Sequence, residues 1–317
     1  MDKKIKYILV TGGMGFIGFH LTSKLVRLGF KVIIIDNLSN SNIKSLDSEV
    51  IFLKFDLSDY SNFKKLESYN IESIYHLAAQ SSNAISFEKT IKDLNFNQLS
   101  TFNLLKFAKS KKITRFIYTS SMSVYGDSCK FPTGENSIKN PESFYGAHKL
   151  VGEYYCKIFK TEMDFDYTIF RLYSVYGFGQ NVTNLDQGLL SIYLGYLING
   201  ETIIVKGSGD RERDLIHVED VTDALIKSKN ENKTYNQTYN LGSGKSIKIK
   251  EIIEILLKVF NKKKYSVRYL ASTKGDPFKT LADNLKLKKE LKWDTRISIK
   301  EGIIDTAKKY LELYEGK

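Results

Sequence analysis

Tyr145 and Lys149, in the stretch Phe144-Tyr-Gly-Ala-His-Lys149, stand four residues apart. That spacing puts two side chains on one helix face. A phenol and an ammonium that meet there can do proton chemistry. The cation favours the phenolate, so the tyrosine pKa falls from its ordinary ~10 toward neutrality. A phenol tuned in this way can take a proton from an alcohol and return one to it. Spacing alone does not establish this. The chain holds 20 tyrosines, and an ordinary surface pair on an aromatic helix has the same pattern. The weight falls on the elements that would position the pair.

The chain has 317 residues, 42% hydrophobic and 26% charged, which suits one large domain or two smaller ones. No apolar run approaches the length of a membrane span, so no membrane partner is expected. Met1-Asp-Lys-Lys leads into a short strand pattern and lacks the apolar core and cleavage site of a signal peptide. The two cysteines, Cys129 and Cys156, have no ligand-like spacing. They read as unpaired thiols in a reducing compartment, and the expected location is cytoplasmic. The net charge of +12 comes mostly from lysines spread along the chain. They form no dense block and accompany no zinc or RNA-binding signature, so nucleic acid is not expected. A phosphate-bearing small molecule is the expected anion. The four histidines (His20, His76, His148 and His217) are scattered, and no metal site is expected.

The first half of the chain alternates. Lys6-Tyr-Ile-Leu-Val10 is a short apolar run ending at Thr11-Gly12, and a helical pattern follows from Phe16 to Leu28. Lys31-Val-Ile-Ile-Ile35 ends at Asp36, Val50 to Phe55 at Asp56, and Ser73 to Leu77 at Ala78-Ala79. A long helix is predicted from about Lys89 to Lys109. Arg115-Phe-Ile-Tyr118 ends at Thr119-Ser120-Ser121; the helix with Tyr145 and Lys149 follows, then Tyr167 to Arg171. Short apolar strands separated by helices imply crossovers and a parallel sheet. The functional-looking residues fall where strands end, the side on which open parallel sheets bind ligands. The expected fold is α/β, a Rossmann-type doubly wound parallel sheet with a smaller mixed α/β substrate-binding domain. Residues 1–175, with about 215–244 returning to them, form the first domain. Residues 176–214 and 245–317 form the second, with a mostly helical tail.

Thr11-Gly-Gly-Met-Gly-Phe-Ile-Gly18 places Gly12, Gly15 and Gly18 between a strand and a helix. Glycines permit the tight turn and let backbone amides approach a pyrophosphate. The following helix, beginning at Phe16 and Ile17, offers its positive end. Asp36, next to Asn37, ends the second strand, where a carboxylate can grip a ribose diol. A carboxylate there repels a 2′-phosphate, and no arginine follows at once. NAD rather than NADP is the expected cofactor.

With these motifs and Ser121, the sequence resembles the extended short-chain dehydrogenase/reductases, in particular the NAD-dependent sugar-nucleotide epimerases and dehydratases. The matching stretches cover nearly the whole chain. They include Thr11 to Gly18, Asp56-Leu57, His76-Leu-Ala-Ala79, Asn97, Thr119 to Gly126, Tyr145 to Lys149, Arg171 to Gly177, Arg213 to Val221, Gly275-Asp-Pro and Ala282-Asp283. The resemblance implies that Tyr145 is the general acid/base and that Lys149 holds the nicotinamide ribose and lowers the tyrosine pKa. Ser121 aligns the reacting sugar hydroxyl. Asp56 and Leu57 are the implied adenine contacts, Ala78 and Ala79 the floor beneath the cofactor. Asn97 serves the cofactor side by ordering the central helix. A homodimer is implied as well, through two helices of the large domain, with Tyr154, Tyr155 and Phe159 as candidates; core packing explains those residues equally well.

The residues after Ser121 narrow the chemistry. Related 4,6-dehydratases carry Asp-Glu there, and this chain has Met122 and Ser123. Neither side chain can move protons at C5 and C6 so that water leaves. Ser123 argues against the family's decarboxylases too, and Cys129 is misplaced for the bifunctional epimerase-reductases. What remains is oxidation at C4 of a nucleotide-diphosphate sugar. The expected function is a 4-epimerase, which returns the hydride; the alternative is a 4-dehydrogenase, which releases the 4-keto sugar. A non-enzymatic NAD sensor is the reading from another class, though such proteins commonly lose the tyrosine or the lysine.

In the substrate half, Arg213 resembles the arginine that clamps the nucleotide diphosphate, with Arg211 able to assist. Forked guanidinium hydrogen bonds suit phosphate. Asp214 and His217 are expected to organise the loop. Ser174 and Thr273, beside Lys274, stand where relatives carry Asn and Arg that face nucleotide or phosphate. Ser174 and Lys274 are therefore kept as substrate candidates, and the nucleotide is left open. Asn181-Val-Thr-Asn-Leu-Asp-Gln187 is expected to line the sugar pocket.

Overall fold

The computed structural model describes residues 5–41, 48–127, 130–272 and 274–315. Residues 1–4, Cys129 and Thr273, on which sequence expectations rest, lie outside the described residues. In chain order the elements begin with β1 (Tyr7–Thr11), α1 (Phe16–Arg27), β2 (Lys31–Asp36), β3 (Ile51–Lys54), β4 (Ile71–His76), α2 (Asn83–Glu88), α3 (Thr90–Asp93) and α4 (Ser100–Ser110). They continue with β5 (Arg115–Ser121), α5 (Phe144–Glu162), β6 (Asp166–Leu172), β7 (Ser174–Tyr176), α6 (Leu189–Ile198), β8 (Ile203–Lys206), β9 (Glu212–His217) and α7 (Val218–Ser228). The last are β10 (Gln237–Leu241), β11 (Ser246–Lys248), α8 (Ile249–Val259), β12 (Val267–Leu270), α9 (Leu285–Leu291) and α10 (Ile299–Glu315).

Among the described residues, a seven-stranded sheet runs in the order β10-β6-β5-β4-β1-β2-β3, parallel throughout. The strands read as continuous apolar runs because both faces are covered. Ile33 and Ile35 of β2 enter one core with α4 and α5, through Leu104, Phe107 and Cys156. Val32 and Ile34 enter the other with α1, α7 and α9, through Leu21, Leu225 and Leu287. Strand order reverses between β1 and β4, and the crevice for a ligand opens at such a switch point. β10 returns to the central sheet beside β6.

A third core lies under α6, α8 and α10, from Leu194, Ile252, Leu256 and Ile303. It supports a sheet of β11, β9 and β7, while β8 pairs with β12. One sequence expectation changes here, and the mostly helical tail gains detail. The tail contains β11 and β12 besides its helices; they span three and four residues, and β12 is mostly exposed, so neither leaves a burial pattern to detect. The long helix expected from Lys89 is broken into α3, a π-helical turn at Leu94–Leu99, and α4. That wider turn carries Asn97 inward, where Nδ2 donates to Gln80 O (3.0 Å) and Asp93 Oδ1 (2.9 Å). Single π turns of this kind are common at functional sites. No helix among the described residues is long and apolar enough to cross a membrane.

Beneath the carboxyl ends of β5 and β6, Arg171 forms a forked ion pair with Glu153 of α5, Nε to Oε1 at 2.9 Å and Nη2 to Oε2 at 2.6 Å. Both residues are buried. Ser120 Oγ donates to Glu153 at 2.6 Å, and Arg171 Nη1 donates to Tyr125 Oη at 2.8 Å. Removing one partner leaves the other as an uncompensated buried charge. Arg171→Met is expected to cost about 3–5 kcal/mol, read as a lower urea midpoint at unchanged slope. Adding Glu153→Leu should restore much of the loss.

Candidate active site

The carboxyl ends of β1, β2, β4 and β5 open onto a cavity of about 540 Å³, closed on its far side by β7, α6 and the 179–188 segment. At one end lies the glycine turn. Gly12 has φ +70°, and a Cβ there would sit 2.7 Å from Ala78 N. A Cβ on Gly18 would run into the Gly12 carbonyl. Only a bare backbone fits this cradle. Gly15 N donates to Gly12 O at 3.0 Å, and Gly15, Phe16 and Ile17 face the cavity with the N-terminus of α1.

Asp36 ends β2 beside the turn and accepts from Met14 N (3.0 Å) and Leu38 N (2.8 Å). Burial pushes its carboxyl up, and these two amides pull it back. Asn37 Nδ2 donates to Asp56 Oδ2 at 3.4 Å. The other Asp56 oxygen accepts from Ser58 N and Oγ, each at 2.8 Å. Asp56, Leu57, Ala78 and Ala79 line the wall between this end and the centre.

Ser121, Tyr145 and Lys149 meet in the middle. Ser121 ends β5; its Oγ donates to Ser123 Oγ (3.2 Å) and accepts from Ser123 N (3.1 Å). Helix α5 starts where Ser143 accepts from Gly146 N at 3.1 Å. A Cβ on Gly146 would lie 2.5 Å from Ser123 O, so the glycine lets the helix close onto the end of β5. Tyr145 is 8% exposed and Lys149 2%. The Lys149 ammonium lies 4.8 Å from the centroid of the Tyr118 ring. No hydrogen bond or ion pair engages it among the described residues.

The electrostatics differ from expectation. Burial pushes the Tyr145 phenol up to about 12; hydrogen bonding to Ser121 pulls against this, and the Asp93 charge adds to it. Lys149 is not among the groups that move the phenol. Burial instead lowers Lys149 itself to about 8, opposed by Asp93, Glu153 and Cys156. In the protein alone, desolvation outweighs the attraction that the helical spacing implies. Cys156 is a buried free thiol whose pKa burial raises.

At the other end, Arg211 and Arg213 converge on Asp276. Arg213 Nη2 meets Asp276 Oδ1 at 2.8 Å, and Arg211 pairs with the second oxygen. Both arginines are buried except toward the cavity, which all three residues line. Ser174 and much of the 181–187 segment line it too, and Asn184 Nδ2 reaches Asn40 Oδ1 across the opening at 2.9 Å. Lys274 lies elsewhere. It is exposed, turned outward at the Gly275 turn, with its ammonium 5.0 Å from the Phe87 ring centroid. It is not part of the cavity wall.

Asp214 accepts from Ser243 N and Oγ (2.7 Å each), Gly244 N and Ala282 N (3.0 Å each). It ties loops together, and burial raises its carboxyl to about 6. His217 caps α7, accepting from Glu219 N at 3.3 Å. Sequence reading gave no role to Asp276 or Asp93. Asp276 had a signal in Gly275-Asp-Pro, but its arginine partners are distant in sequence. Asp93 had none.

Residues 8–242 match the model of the NAD dependent epimerase/dehydratase family. The UDP-glucose 4-epimerase of Mycolicibacterium smegmatis is 30% identical over 94% of this chain and 96% of its own length. The UDP-glucuronic acid decarboxylase 1 of Danio rerio is 27% identical over 96% of this chain and 72% of its own. The crystal structure of the UDP-glucose 4-epimerase of Thermotoga maritima with UDP-glucose superposes at a TM-score of 0.92, with 31% identity over 97% of this chain and 99% of that one.

The cradle geometry gives a direct test. Gly18→Ala places a methyl against the Gly12 carbonyl. NAD affinity by calorimetric titration should fall at least ~tenfold, the equivalent of ~1.4 kcal/mol, and because the methyl strikes backbone, thermal unfolding of the protein alone should move to lower temperature as well.

Proposed function

The chain belongs to the NAD-dependent epimerase/dehydratase family, and we propose that it is a 4-epimerase of a nucleotide-diphosphate sugar, with UDP the favoured nucleotide. The observation that supports this most is the meeting of Ser121, Tyr145 and Lys149 on one wall of the cavity, between the glycine cradle and the Arg211–Arg213 pair. We assign residues 1–175 with about 215–244 to the cofactor domain, and 176–214 with 245–317 to the sugar-nucleotide domain.

The residues present fit NAD. The cradle admits a pyrophosphate at the start of α1. Asp36 stands where ribose hydroxyls would be gripped. Among the described residues the buried Lys149 ammonium makes no hydrogen bond or ion pair, and it lies within the cavity wall, ready for a second ribose. When bound, NAD supplies the acceptor and the return source of the hydride at the sugar carbon.

The protein's own residues handle the proton. Ser121 Oγ orients the C4 hydroxyl, and Tyr145 as phenolate takes its proton; a 4-keto sugar results when the C4 hydrogen also leaves as hydride to the acceptor that bound NAD would supply. Positive charge brought beside the phenol lowers its pKa from about 12 toward the working range. Tyr145 later gives the proton back when the other face of the ketone is reduced. Met122 and Ser123 line the same wall and offer no carboxylate, so loss of water or of carbon dioxide has no acid or base there. Arg211 and Arg213 take the diphosphate, and Ser174 lies within reach of the nucleotide. A cytoplasmic location suits a cofactor and substrate of this class.

Mixing the NAD-bound protein with a panel of nucleotide sugars, followed by NMR and reduced-nicotinamide absorbance, tests the reading. Inverted sugar without net NADH is expected. A 4-keto product with accumulating NADH makes it a dehydrogenase; no transfer with any sugar leaves an NAD-binding sensor. Tyr145→Phe should lose about 10²–10⁴ in turnover, the usual worth of a general acid/base, and keep NAD.

We also propose a homodimer through α4 and α5. Phe102, Tyr154 and Ile158 on these helices are 38%, 51% and 54% exposed, and Phe102 packs edge-on against Tyr155 and Phe159. An apolar face of this kind fits a second copy. Sedimentation should give a dimer, and Ile158→Asp with Tyr154→Lys a monomer.

A further inference from the structure

One carboxylate behind the proton-transfer residues has no part in holding cofactor or substrate. Asp93 ends α3 and is fully buried. Its Oδ1 accepts from Gln80 Nε2 at 2.6 Å and Asn97 Nδ2 at 2.9 Å. Its Oδ2 lies 2.6 Å from His148 Nδ1. A carboxylate only accepts, so Nδ1 carries the proton. His148 is on α5, between Tyr145 and Lys149 in sequence, with a side chain 10% exposed. Residues three and four apart share a helix face, which brings His148 beside Tyr145.

A buried charge acts strongly on its neighbours. Asp93 disfavours the phenolate of Tyr145 and favours the ammonium of Lys149. The other ionisable groups around the two are Glu153 and Cys156 on α5, His76 on β4 and Tyr118 on β5. Of the carboxylates among them, Asp93 alone acts on both Tyr145 and Lys149. Donors from two directions fix it: Gln80 and Asn97 on one side, His148 from the catalytic helix on the other.

We infer that Asp93 and His148 are positioning residues for the proton transfer. Asp93 holds a buried negative charge against the turn of α5 that carries Tyr145 and Lys149, and His148 fixes the carboxylate to that helix. The inference rests on the role proposed for Tyr145. It differs from a packing role, because a neutral residue of the same shape would satisfy packing.

The test uses the NAD-bound protein and the sugar nucleotide it turns over. The variants are Asp93→Asn, His148→Leu and His148→Asn, whose amide can stand where Nδ1 stands. Readouts are kcat and KM against pH, NAD retention, and phenolate absorbance with Tyr145→Phe as the blank. Asp93→Asn removes the charge, so more phenolate is expected at a given pH. The Lys149 ammonium is then lost earlier as pH rises, and the alkaline fall of kcat moves to lower pH. His148→Leu should lower kcat about tenfold with KM within about twofold, and His148→Asn should recover most of it.

Asp93→Asn with wild-type phenolate and pH profile overturns the inference. So does a parallel loss of kcat, KM and thermal stability in both His148 variants. If Asp93→Asn fails to fold, the split between the two His148 variants decides alone. An active Tyr145→Phe would instead overturn the proposed function, so the two failures are distinguishable.

Discussion

The buried ion pair between Arg171 and Glu153 holds the rest of the site in register. Glu153 follows Lys149 by one helical turn, and the Ser120 hydroxyl that also binds it is adjacent to Ser121. One carboxylate therefore fixes the end of β5, which carries the serine, to α5, which carries the tyrosine and lysine. Burying two charges costs several kcal/mol each, and attraction offsets this only when geometry is good and the remaining lone pairs are satisfied. Here the guanidinium meets both carboxylate oxygens, and Ser120 and Tyr125 complete the shell. Tyr125 passes the constraint on to Asn240 of β10 at 2.7 Å. Distances between reacting groups matter at the ångström level in catalysis, which gives a physical reason to retain charge where leucine would pack.

The same clamp explains why the catalytic helix can lie so close. Gly146 removes the side chain that would strike Ser123 O, and Gly152 removes one that would strike the Tyr118 hydroxyl. With those gaps closed, Tyr145 and Lys149 are withdrawn from water, and their pKa values move in opposite directions, up for the phenol and down for the amine. Burial that places the groups well also makes both of their charged forms costly. On the proposed function each would have something to meet, a sugar hydroxyl and Ser121 for the phenol and ribose hydroxyls for the ammonium, which would offset that cost.

What the sequence disclosed was local. Gly12 to Gly18, Asp36, Ser121 and the Tyr145–Lys149 spacing lie within single turns or at strand ends, where chain order nearly dictates placement. The parallel order of the strands was legible for the same reason, since apolar runs alternated with helical patterns. Hidden features were those made by distant contacts. Asp276 reaches arginines more than sixty positions away, and His148 reaches Asp93 across another long interval. The π turn at Leu94–Leu99 was invisible because its residues suit an ordinary helix; inward bonds from Asn97 to Gln80 and Asp93 go with the wider turn. Lys274 was placed at the phosphate by its neighbours in sequence, yet the turn at Gly275, φ +72°, sends it outward.

Charge balance joins the two ends of the cavity. Arg211 and Arg213 share one carboxylate, so that end keeps an uncompensated positive charge. Lys149 adds a cation at the centre, favoured by the buried Asp93 and Glu153 charges. A dinucleotide and a sugar nucleotide each bring a diphosphate, which are the charges the cavity lacks. Asp276 occupies guanidinium donors of both, and this spares two buried arginines from facing one another unscreened. Asn83 then links this end to the chemistry: its Nδ2 donates to Gly275 O at 3.1 Å, and its Oδ1 accepts from the Ser143 cap of α5 at 3.0 Å. The turn that holds the arginine counter-ion and the first turn of the catalytic helix are thus built on one side chain. On the proposed function, a substrate held there by its phosphates would present its sugar to Tyr145 at a distance set by the fold. A ketone that turns over before the hydride returns needs that tether, because the diphosphate is the part of the molecule that can stay fixed while the sugar ring rotates.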